Sequence, residues 1–131
     1  IVEDKLGNIW IGTEKTGLNY YDFKTKKVTK YKHSKNNAKS ISSNKIRSLF
    51  IDHKDRLWVG TVEGLNVYSN ETKSFFKISN KGDEKETLSN NVIFSISEDR
   101  FGNIWAGSWL NGLNRITFNS SNNYEIEKIY L

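Results

Sequence analysis

The chain has 131 residues and no cysteine, which excludes a disulfide framework and a thiolate metal site. Its formal charge is +5, but the positive residues are dispersed among Asp, Glu and Asn, so no basic stripe of the nucleic-acid-binding kind is read. No apolar run approaches ~18 residues, which argues against a membrane-inserted segment, and seventeen aromatics argue for a packed fold rather than disorder.

Taken in order, the chain reads as short strands separated by polar turns. Ile1-Val2-Glu3-Asp4 corresponds to the tail of residues 46–52, so it is expected to be a cut first strand. With no Met present, the chain is expected to be a piece of a longer one. Strands are predicted at 9–13, 18–21 and 28–32, followed by a polar loop at 32–44. The next set is complete, with strands at 46–51, 57–61, 65–68 and 75–78 and a second polar loop at 79–91. A third set is predicted at 93–98, 104–108, 113–118 and 124–130. No segment sustains the i, i+3, i+4, i+7 pattern of a capped helix.

The three sets are copies of one unit. Leu57-Trp58-Val59-Gly60-Thr61 with Gly64-Leu65 recurs as Ile9-Trp10-Ile11-Gly12-Thr13 with Gly17-Leu18, and as Ile104-Trp105-Ala106-Gly107-Ser108 with Gly112-Leu113. The tryptophan spacing is about 47 residues, the length of a four-stranded propeller blade. The expected fold is all-β: about three four-stranded antiparallel blades, residues 1–43 (partial), 44–90 and 91–131. A ring needs ~4–8 blades to cover every apolar sheet face, so further blades or another copy of the chain are expected partners. Within the second strand, Trp58 and Gly60 share one face and Leu57, Val59 and Thr61 the other. The indole supplies apolar area, and the glycine lets the next sheet approach. Trp10, in an end blade, is expected to matter less than Trp58.

Asp4-Lys5-Leu6-Gly7-Asn8-Ile9-Trp10-Ile11-Gly12-Thr13, then Gly17-Leu18 and a Tyr-containing strand, resembles the two-component regulator propeller repeat. The second copy departs at Asp55-Arg56, and the third at Ser108 and Ile116. The resemblance implies a seven-bladed ring. It implies a non-enzymatic sensor on the extracytoplasmic side of a membrane-anchored bacterial two-component receptor, in some relatives responsive to oligosaccharides. The alternative is a protein-interaction or dimerisation propeller. No cofactor is implied.

Candidate site residues are those the repeat does not demand. The inter-blade loops and the turns after each second strand share one rim. Trp109 lies in such a turn where the other copies have Glu14 and Val62, which makes it a candidate sugar-stacking platform; it could instead cover the neighbouring blade. Arg47, Asn44 and Asn91 sit at or near the starts of innermost strands and are candidate ligand contacts; the asparagines could instead cap their loops. Trp10, Trp58 and Trp105 are expected in the core. Asp4, Asp52 and Asp99 are expected to stabilise turns rather than bind metal. His33 and His53 lack ligand spacing, so no metal site is expected. Lys24, Lys26, Lys27 and Lys30 read as an edge strand that resists pairing. Asn70-Glu71-Thr72 and Asn119-Ser120-Ser121 match glycosylation acceptors, without meaning in a bacterial protein.

Overall fold

The computed structural model describes residues 1–110, 112–119 and 123–131. The second glycosylation-like triplet and the turn after residue 108 therefore lie partly outside the described residues. Among the described residues, twelve strands form three four-stranded antiparallel sheets, each in sequence order. The first contains β1 (Val2–Glu3), β2 (Ile9–Gly12), β3 (Leu18–Tyr21) and β4 (Val28–Tyr31). The second contains β5 (Ile46–Ile51), β6 (Leu57–Thr61), β7 (Gly64–Ser69) and β8 (Ser74–Ile78). The third contains β9 (Ile93–Glu98), β10 (Ile104–Ser108), β11 (Gly112–Phe118) and β12 (Tyr124–Ile129). Among the described residues the only helical element is a single 3-10 turn, Glu84–Glu86, in the second inter-blade loop. No described helix is long and apolar enough to cross a membrane.

The sheets stand face to face as propeller blades. On the middle sheet, Leu57, Val59, Tyr68 and Phe75 join Trp10, Leu18, Ile41 and Ile46 in one core layer. Trp58, Leu65 and Ile78 join Ile93, Ile104, Ala106 and Ile116 in the next. Trp10 and Trp58 each point toward the following blade. Trp10 packs its ring 5.0 Å from that of Tyr68, and Trp58 packs 5.8 Å from Phe118. The expectation for Trp10 is thereby corrected. It is only 5% exposed, because the second blade covers it. Trp105, in the third blade, is the half-buried one, with the Arg115 guanidinium over its ring.

Glycine in the second strand does admit the neighbouring sheet. A side chain on Gly12 would collide with Ile46, and one on Gly60 would stand 2.9 Å from the Ile93 carbonyl oxygen. Ile46 and Ile93 hold equivalent places at the starts of β5 and β9, so each isoleucine fills the space that the preceding blade's glycine leaves.

The first hairpin turn repeats one bonding scheme. In each copy the leading aspartate Oδ1 accepts backbone N–H groups two and four residues on: Leu6 and Asn8, Lys54 and Arg56, Phe101 and Asn103. Gly7 and Gly102 take φ of 80° and 82° at the turn's tip, and Asp55 takes 62° in the copy that lacks the glycine. A residue other than glycine, asparagine or aspartate is rarely found there.

Candidate functional site

The first strands of the second and third blades each carry a β-bulge. Ile46 pairs with Thr61 and Ser48 with Gly60, so Arg47 has no partner of its own. Ile93 pairs with Ser108 and Ser95 with Gly107, so Phe94 is likewise the extra residue. A bulge resets the alternation of faces and re-aims the extra side chain. Here it lets Ile46 and Leu49 both face the first blade, while Arg47 and Phe94 turn to the rim. The two bulged residues then meet across the blade boundary, with the Arg47 guanidinium carbon 5.7 Å from the centre of the Phe94 ring.

Phe94 continues the row to Trp109, ring centres 5.1 Å apart and tilted by 35°. Trp109 is 54% exposed and Phe94 46%. The backbone N–H of Trp109 donates to the Val92 carbonyl at 2.9 Å, which ties its turn to the start of β9. Leu110, next to it, is held at φ 71° although it is not a glycine. Such a conformation is a local strain of the kind that collects at binding sites. At the other end of the row, Arg47 forms a two-pronged ion pair with Glu14 of the first blade. The row Glu14–Arg47–Phe94–Trp109 thus crosses all three blades on one rim.

Asn44 and Asn91 lie on the same rim and line a groove of about 710 Å³ that also includes Glu14. Their side-chain oxygens act as loop clasps. Asn44 accepts the His33 N–H at 2.8 Å, and Asn91 accepts the Asn80 N–H at 2.7 Å. Their backbone carbonyls accept Gly17 N–H and Gly64 N–H. These two residues build the groove wall, whereas Arg47 and Trp109 present side chains along the rim.

Phe94 is the residue missed by sequence reading. Its signal was available: it occupies the place of Arg47 one repeat later. The same groove gathers lysines that are far apart in the chain, namely Lys15, Lys45, Lys77 and Lys81. Lysines that the sequence scatters therefore lie around one groove on this rim.

The opposite rim holds a second cleft of about 850 Å³ between the outer strands of the second and third blades. Arg56, which replaces the asparagine of the other repeats, lies 4.3 Å from the Phe118 ring centre and pairs with Asp52. Phe76 and Tyr124 meet edge to face at 5.6 Å. Burial, and then the nearby Glu86 carboxylate, raise the Tyr124 hydroxyl above its ordinary pKa.

Both histidines have structural contacts. His33 Nδ1 donates to the Ile41 carbonyl at 2.9 Å, and His53 bonds through Nδ1 to Glu98 of the next blade. Among the described residues no group of three His, Asp or Glu side chains is placed to hold a metal ion.

Residues 1–15, 40–63 and 87–110 match a family described as two component regulator propeller. A histidine kinase of Formosa agariphila is 38% identical over 53 residues, which is 40% of this chain and 4% of the kinase. An extracellular domain assigned to a hybrid two component system of B. thetaiotaomicron superposes with a TM-score of 0.77 and 21% identity. That match covers 93% of this chain and 16% of the other. A second extracellular domain from that organism, also assigned to a hybrid two component system, gives a TM-score of 0.52 at 18% identity. It covers 98% of this chain and 24% of that one. The chain spans a small part of each relative, and the structural likeness concerns the fold.

Proposed function

We propose that this chain, three stretches of which match the two component regulator propeller family, is part of a non-enzymatic sensor propeller. The propeller sits on the extracytoplasmic side of a two-component receptor and binds an oligosaccharide at its rim. The observation that carries this reading is the exposed row Arg47–Phe94–Trp109. Aromatic faces left in water at a rim suit the apolar C–H face of a sugar ring, and an adjacent guanidinium supplies hydrogen bonds. These side chains meet across blade boundaries at the rim, outside the core layers that Trp10 and Trp58 fill. Binding would signal only if it favoured one arrangement of the receptor over another.

Titration calorimetry of the intact protein against a panel of neutral and acidic oligosaccharides tests this. Trp109→Ala should weaken the cognate sugar by about tenfold or more, in line with ~1–3 kcal/mol for a stacked ring. Unchanged affinity would remove the rim from the reading.

A second reading, docking of a protein partner, is favoured by Leu6 and Phe101. These occupy the same place in the first and third hairpin turns and are 76% and 75% exposed. It predicts concentration-dependent association that the double change Leu6→Ser, Phe101→Ser abolishes, seen by light scattering.

A further inference from the structure

Building on the rim as the sugar site, we propose that it selects an acidic oligosaccharide. A ligand carboxylate or sulfate takes the place of the Glu14 carboxylate on Arg47, while a sugar ring lies on Trp109.

Three observations carry this. The first is the charge of the groove that adjoins the row at Glu14, and whose lining does not include Arg47, Phe94 or Trp109. Lys15, Lys45, Lys77 and Lys81 line it against only two carboxylates, Glu14 and Glu63. Among the described residues none of these lysines pairs with a carboxylate, and Glu14 is already matched by Arg47. The second is the contrast with the opposite cleft. There Lys5, Lys54 and Arg56 are balanced by Asp55, Glu71 and Glu86, and two of the cations are paired. The positive excess of the groove is therefore not shared by the opposite cleft. The third is the geometry of Arg47. Glu14 meets both of its terminal nitrogens from a side chain that is half in water. That is how a guanidinium holds a carboxylate or an oxyanion, and an exposed pair of this kind is weakly held and readily exchanged. Phe94 separates the guanidinium from the indole by one ring. A chain of sugars can thus place its acid group on Arg47 and a neighbouring ring face on Trp109.

The test uses matched probes on the intact protein: tetragalacturonate, its methyl ester and a sulfated galactose tetramer, by calorimetry at two salt concentrations. At least one acid should bind about tenfold or more tightly than the uncharged ester, as one charge-assisted bond supplies. That preference should shrink as salt screens it. Arg47→Gln should abolish the preference, and Glu14→Gln should strengthen the acid severalfold by removing its competitor. Which acid gains separates carboxylate from sulfate recognition. Circular dichroism of both variants checks that their fold is intact.

Equal binding of acids and ester, or a preference that survives Arg47→Gln, would overturn the proposal. If a neutral sugar alone binds and Trp109→Ala weakens it, the sensing reading stands and this one falls. A single-stranded DNA octamer that binds as tightly as the acid, with the same dependence on Arg47, would also overturn it. The groove would then read charge and not sugar.

Discussion

The Asp52 carboxylate accepts the indole N–H of Trp58 at 2.8 Å, and Asp99 makes the same bond to Trp105 at the same distance. One aspartate therefore closes the hairpin turn with Oδ1 and holds the blade's core tryptophan with Oδ2. In the first blade the partner changes: Asp4 Oδ2 accepts the Tyr20 hydroxyl at 2.9 Å. Asp52→Ala should cost about 3 kcal/mol or more, because it leaves the indole N–H, turn amides and Arg56 without their shared acceptor. Urea denaturation reads this directly. Trp58→Phe should lose less than Trp58→Ala, since it keeps most of the apolar contact and removes the bond.

These bonds predict acid sensitivity. Burial opposes ionisation of Asp52, but the bonds from Trp58 and Arg56 outweigh it and hold its pKa below the ordinary value. The bonds from Trp105 and Asn103 lower that of Asp99 further. An unfolded aspartate titrates near ~3.9, so below that pH the unfolded chain takes up protons that the folded chain refuses. The stabilisation is complete well above that pH and is lost as pH falls toward the folded values. Urea midpoints measured between pH 7 and pH 3 should fall at the acid end. Asp52→Asn with Asp99→Asn should be less stable at neutral pH and should lose less on acidification.

The direction in which the tryptophans point sets a rank order. Trp58→Ala should cost ~3–5 kcal/mol as a fully buried aromatic truncation, and Trp10→Ala should cost nearly as much. Trp105→Ala should cost least in this chain, because its outer side is half in water. Thermal or urea melts of the three variants establish the order. A cost for Trp10→Ala as small as that for Trp105→Ala would contradict the packing of Trp10 against Tyr68.

Gly12 and Ile46 should couple. Gly12→Ala meets the Ile46 side chain first and should cost ~1–3 kcal/mol by overpacking. Combining it with Ile46→Ala should cost less than the sum of the two single changes, a coupling that a double-mutant cycle measures. Gly60→Ala meets the Ser48 hydroxyl first, and the Ile93 carbonyl oxygen as well as its side chain. Ile93→Ala should therefore rescue it less completely.

The sequence by itself determined the repeat, the four strands of each blade and the role of the leading aspartate in its turn. It also placed the core tryptophans on one face with the glycines. Every one of those features rests on contacts within a few residues or across a hairpin, so a local pattern copied three times is enough to reveal them. Only the tertiary structure decided toward which neighbour Trp10 points, because strand alternation distinguishes two faces without saying which one meets the next blade. The bulges at Arg47 and Phe94 were equally hidden, since an extra residue in β5 or β9 leaves no mark in a run of apolar and polar residues. Once the bulges turn those side chains outward, residues 47 positions apart come into contact. Lysines from separate strands, turns and loops collect around one groove for the same reason. Their convergence depends on how one sheet is rotated against the next, and that rotation is set by indole, isoleucine and glycine packing between blades rather than by any single stretch of chain.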